Sequence, residues 1–215
     1  MVWFVAEETE LLIRVIGSCP RKVNRHATGW VTRGRNRSRG SLNELWNKFG
    51  RGNAVLTDDD KTLRAHLLSL LEGRGAHVDF ESAVAALPEK LRGKKPRGLP
   101  YTPWQQVEHM RIVQWDILEY IRNPNYRSPP WPHGYWPDTT PPTATAWDRS
   151  IRAFTRDRQA LRRLVMDPAT RLVVQIPRRQ GGHTILREVL LVADHTAYHI
   201  GQLIVLRRLL KSWSE

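Results

Sequence analysis

Cysteine is almost missing from this 215-residue chain, with Cys19 standing alone. One thiol excludes an intramolecular disulfide and any zinc site built on several thiolates, and it fits a reducing compartment. Acidic residues are scarce as well: 21 Asp and Glu face 34 Lys and Arg, giving a formal charge of +13 and a pI near 10.7. Such an excess makes nucleic acid, an anionic membrane surface or an acidic ligand the first candidates for a partner, and it carries no information about fold. Long apolar runs are also lacking. The stretch at residues 189–193 is five residues long, far from the ~20 that span a bilayer. Ahead of Cys19, the apolar N-terminal residues are broken by Glu7, Glu8, Glu10 and Arg14, with no Lys or Arg before them, which argues against an export signal. The expectation is a soluble, cytoplasmic protein.

What is present divides the chain in two. Residues 21–40 hold seven basic residues, no acidic ones, and Gly, Ser, Thr and Asn between them. That composition offers too little apolar surface to offset the entropy of ordering. Residues 1–50 therefore read as a disordered extension with a net charge of +5, leaving +8 on residues 51–215. The extension is either a basic arm for nucleic acid or a dispensable tail.

From residue 51 the pattern turns helical. Thr57 with Asp58, Asp59 and Asp60 forms an N-terminal signature ahead of Leu63, Leu67, Leu68, Leu70 and Leu71, and Gly73 is the stop. A short amphipathic helix is expected at residues 78–87, before Pro88, and a loop at 92–100. A second long helix opens with the capping box Thr102-Pro103-Trp104-Gln105 and ends near Arg122. Residues 124–142 hold seven of the fourteen prolines, a density that forbids regular structure. A third helix is expected at about 147–165, introduced by Thr145, and a fourth at about 185–210, capped by Thr184. Four long helices without a convincing strand predict an all-α four-helix bundle. The crossover between the second and third is long enough for those two helices to run parallel.

Eight histidines carry the chemistry. His195 and His199 are one helical turn apart, so both imidazoles project from one face, a spacing that suits two ligands of one metal. The surrounding helix is apolar nearly all round, and two buried imidazoles need partners: either a metal or hydrogen-bonding groups of the core. His109, at the edge of the apolar stripe made by Val113, Ile117 and Tyr120, is the candidate third ligand. Asp116 lies over the same face, as an orienting acceptor or as an ordinary exposed carboxylate. Gln202 continues the line of His195 and His199, either holding a bound water or substrate or filling a polar gap. His66 is a helper or a solvated histidine.

The set Trp104-x-x-x-Glu108-His109, then Tyr135-Trp136-Pro137 in the Pro-rich segment, then Asp194-His195-x-x-x-His199-Ile200-Gly201-Gln202, resembles the DinB-like superfamily of damage-inducible bacterial proteins over residues 54–213. The resemblance implies an up-down-down-up bundle, a homodimer, and one divalent metal, zinc or nickel, held by His109, His195 and His199. It further implies a metal-dependent transferase or hydrolase, with a small thiol such as bacillithiol or mycothiol as cosubstrate. Asp116 and Gln202 would assist at the metal, and Trp131, His133, Tyr135 and Trp136 would form the substrate surface. A non-enzymatic stress-response or nucleic-acid-associated protein with a structural metal is the alternative. Nucleic acid is not the main partner expected, and no membrane is.

Overall fold

The computed structural model describes residues 56–213 apart from 139, 178 and 180. The expectations for the extension, residues 1–50 with Cys19, lie outside the described residues. Among the described residues six helices follow one another: α1 (Asp58–Glu72), α2 (Phe80–Val84), α3 (Glu89–Arg92), α4 (Pro103–Arg122), α5 (Ala144–Met166) and α6 (Ile185–Leu209). Among the described residues there is no strand, and Gln175 and Thr184 form an isolated bridge.

The helix ends follow local chemistry. Thr57 Oγ1 accepts from the Asp60 amide at 3.2 Å. Gly73 closes α1 at φ 71°, a left-handed conformation that glycine adopts without steric cost. The Thr102–Gln105 capping box is complete, with both reciprocal bonds at 3.1 Å. Thr184 caps α6 through the Arg187 amide. The start of α5 differs from expectation: Thr143, not Thr145, is the cap, its hydroxyl accepting from Ala146. Thr143 is the first residue after Pro141-Pro142, so the helix begins as soon as the backbone is released from the prolines.

The four long helices pack pairwise, α4 against α5 and α6, and α1 against α5 and α6. Trp104 and Trp147, each in the first turn of its helix, lie 6.5 Å apart, and Gln114 of α4 donates to the Phe154 carbonyl of α5 at 2.7 Å. Arg64, buried in α1, reaches the far end of α5, donating to the carbonyls of Val165, Asp167 and Thr170 at 2.6, 3.0 and 2.8 Å. One buried cluster joins Phe80, Ala83 and Val84 of α2 to Val107, Met110, Trp147, Phe154, Ile200 and Leu203. Each such large side chain contributes about 1.5–3 kcal/mol by leaving water. Phe80 stacks on Phe154 at 3.9 Å, and Arg207 of α6 donates to the Ala83 carbonyl at 2.6 Å, so the short α2 ties α5 to α6.

Among the described residues, α6 is the one helix long and apolar enough to cross a membrane. It contacts α1, α2 and α4 and buries Glu188, His199 and Arg207 with Val189, Val192, Ile200, Leu203 and Leu206, while Leu190, Tyr198, Val205 and Leu209 stay exposed, so the helix expected to be buried all round buries one side.

Candidate metal centre

The long helices α4 and α6 bring three imidazoles together. His109 and His199 are each 1% exposed, and His195 is half-buried. The three offer one ligand atom each, all within 4.8 Å of one another. His109 Nε2 and His195 Nε2 are 3.1 Å apart. Two ligands of a tetrahedral zinc, at ~2.0–2.1 Å each, would stand about 3.3 Å apart, so the pair is close to ligating distance without rearrangement.

The opposite ring nitrogens are already engaged. His109 Nδ1 donates to the Tyr135 carbonyl at 2.9 Å. His199 Nδ1 donates to Gln106 Oε1 at 2.7 Å, with Gln202 Oε1 a second acceptor at 3.1 Å. Each bond fixes the tautomer and leaves Nε2 of that ring as the lone-pair donor facing the cluster, an arrangement characteristic of ligating histidines. Burial keeps all three neutral. It pulls His109 down to about 4, the Tyr135 hydrogen bond partly opposing it. His199 falls to about 3, through burial and the neighbouring His109. His195 lies well below its ordinary value, through burial and then the other two imidazoles. The donor set therefore fits a divalent cation: three neutral nitrogens, desolvated and preorientated.

The chain matches the DinB superfamily over residues 74–203, more than half of its length. It belongs to the DinB superfamily. No curated protein and no solved structure matches it.

Other residues singled out in this DinB-superfamily chain take varied places. Gln202 stands at the centre, on His199. Asp116, fully buried, does not touch an imidazole. Its Oδ2 accepts from the Tyr135 hydroxyl at 2.9 Å, and Tyr135 in turn presents its carbonyl to His109. Burial beside Asp116 pushes the Tyr135 phenol up, so it remains a donor. Tyr135, expected on the substrate surface, is 3% exposed, and its hydroxyl and carbonyl are both hydrogen-bonded. Trp136 stacks on His109 at 3.8 Å and on Tyr101 at 4.2 Å. Trp131 leans on Tyr135 at 5.5 Å. His133 is exposed, and His66 is exposed on α1, outside the group of three. Glu108 is paired with Arg111 at 2.7 Å.

The Pro-rich segment thus works as a strap over α4. Gly134 permits its tight path, since a Cβ there would sit 2.5 Å from Pro129 Cβ. Gln106 escaped the sequence reading, although its place three residues before His109 puts both on one helical face. Glu188 escaped it too: fully buried, it takes His183 Nδ1 at 2.8 Å and Arg187 at 2.6 Å on Oε1.

Proposed function

We propose that this chain holds one divalent metal ion on His109, His195 and His199 and acts on a small molecule there, in a thiol-dependent transfer or a hydrolysis. The observation that carries the reading is the convergence of three neutral imidazoles from two helices, two of them fixed from behind by hydrogen bonds. Three uncharged ligands leave the ion's double positive charge uncompensated, so that when bound it supplies the Lewis acidity that makes a thiol or a water nucleophilic near neutral pH. Zinc and nickel both suit imidazole ligands.

The chain's own residues do the rest. Gln106 and Gln202 hold His199, Tyr135 holds His109, and Trp136 shields the His109 ring from water. The side chains of Trp131, His133 and Trp136 that remain accessible on the strap supply the substrate surface. The reacting thiol comes from a cosubstrate: none of the described residues is a cysteine. An up-down-down-up order of α1, α4, α5 and α6 is part of this reading, supported by the Trp104–Trp147 and Arg64–Val165 contacts. So is a homodimer, supported by Leu190, Tyr198, Val205 and Leu209, all more than 40% exposed along α6. A cytoplasmic setting agrees with the single thiol.

The test is metal content, followed by turnover. Stoichiometric metal in the purified protein and its loss in His195→Ala are expected; a folded protein that takes up no metal overturns the reading. Turnover of chlorodinitrobenzene with a panel of bacterial thiols then addresses the enzyme. Metal without turnover of any thiol or ester favours a structural ion, a reading supported by the way the three histidines join α4 to α6 across 86 residues.

A further inference from the structure

The sequence spreads the positive charge of residues 51–215 over several helices, but the tertiary structure concentrates part of it. Between residues 149 and 163 of α5 the exposed positions are Arg149, Arg152, Arg156, Gln159 and Arg163. They recur at intervals of three and four residues and so form a single stripe, about 21 Å long at 1.5 Å per residue. The opposite face of α5 carries Trp147, Phe154, Leu161 and Val165 in the core. The stripe is therefore held on a rigid helix whose orientation the core decides.

An ordinary solvated helix face alternates signs, because like charges one turn apart destabilise a helix and opposite charges stabilise it. Here Arg149 and Arg152, then Arg152 and Arg156, are neighbours on one face. Arg156 is paired with Asp157 at 2.9 Å. Arg149, Arg152 and Arg163 have no ion pair among the described residues, and Asp148 at the edge of the stripe engages none of them. Further basic residues lie near the N-terminal end of α5. The segment after α3 abuts it, with Gly93 so close to Pro141 that a Cβ would lie 2.6 Å from the proline Cβ, and with Arg92 over the Trp147 ring at 4.9 Å. That segment exposes Lys94, Lys95 and Arg97, and Lys90 just before them.

We infer that the outer face of α5 is a docking surface for the phosphate backbone of a nucleic-acid duplex, read without regard to sequence. The guanidinium fork matches phosphate oxygens two at a time, and a row of such forks along a straight helix matches a row of phosphates. The stripe has no aromatic residue on which a base could stack and no apolar residue that could enter a membrane. It is also independent of the histidine centre and of any reaction there.

The test is fluorescence anisotropy of the full chain with a labelled 20-base-pair DNA duplex between 50 and 200 mM NaCl. The triple variant Arg149→Gln, Arg152→Gln, Arg163→Gln replaces exposed helical residues with a good helix former, and circular dichroism checks that it folds. Its log K against log salt is expected to be shallower than that of the wild type by about 2.7, at ~0.9 for each phosphate that is no longer neutralised. The triple Arg→Lys variant at the same positions keeps the charge and should keep the slope. A wild-type slope in the Gln variant, no duplex binding by the full chain at 50 mM, or binding to phosphatidylserine vesicles in preference to the duplex overturns the inference.

Discussion

The indole of Trp136 lies flat on the imidazole of His109, with ring centroids 3.8 Å apart and planes within 1° of each other. A ring whose Nε2 holds a cation becomes electron-poor, and an aromatic face beside it is then stabilising in the manner of a cation–π contact. Trp136→Ala is expected to weaken zinc or nickel binding by about 5- to 30-fold, corresponding to ~1–2 kcal/mol, with Trp136→Phe between the two. Competition titration against a chromophoric chelator measures it; an unchanged affinity would mean that the stack serves only to seat the strap.

Asp116 acts on His109 through Tyr135. Removing the phenol in Tyr135→Phe, or weakening the acceptor in Asp116→Asn, lets the Tyr135 carbonyl drift from Nδ1. Each change is expected to lower metal affinity by about 10–100-fold. Because both act on the same bond, the double variant should lose little more than either single one. Additive losses in metal titrations would separate the two residues.

The metal-free protein should lose stability on mild acidification. His109 and His199 have native values of about 4 and about 3, whereas the unfolded chain takes up these protons near 6.5. The unfolded state thus binds more protons below pH 6.5. Their contribution to stability is complete above that value, falls as the pH drops, and stops falling below the native values. The slope approaches ~1.4 kcal/mol per pH unit for each histidine. Urea midpoints of chelator-treated protein at pH 7, 6 and 5 should fall in that order, and a His109→Gln, His199→Gln variant should lose most of the trend.

Arg64 is a stability residue, with no partner among the three histidines. Its guanidinium closes three carbonyls at the end of α5 and pairs with Asp60 at 2.7 Å. Arg64→Met leaves one buried and two part-buried acceptors without this donor and is expected to cost about 3 kcal/mol, seen as a lower denaturation midpoint. Metal content at 25 °C should not change.

Much of the fold was legible because helix ends are local events. Thr57, Gly73, Thr102 with Gln105, and Thr184 each act on backbone within four residues, and each marks an observed boundary. Thr143 and Thr145 are equally good caps by composition, and only the release from Pro141-Pro142 chose between them. The pair His195 and His199 followed from helical period alone. The site's remaining parts did not, because Gln106 meets His199 across 93 residues and the Tyr135 carbonyl meets His109 across 26, and no local pattern encodes such encounters.

By itself, then, the sequence determined the helices, the excess of positive charge and the presence of imidazoles at ligand spacing, since these depend on composition and on contacts within a turn or two. The tertiary structure decided which nitrogens face one another, that the buried Tyr135 presents its carbonyl to His109, and that the arginine stripe of α5 points outward. Those outcomes depend on how α4, α5 and α6 rotate to bury their apolar stripes, and that rotation is set by the packed core as a whole.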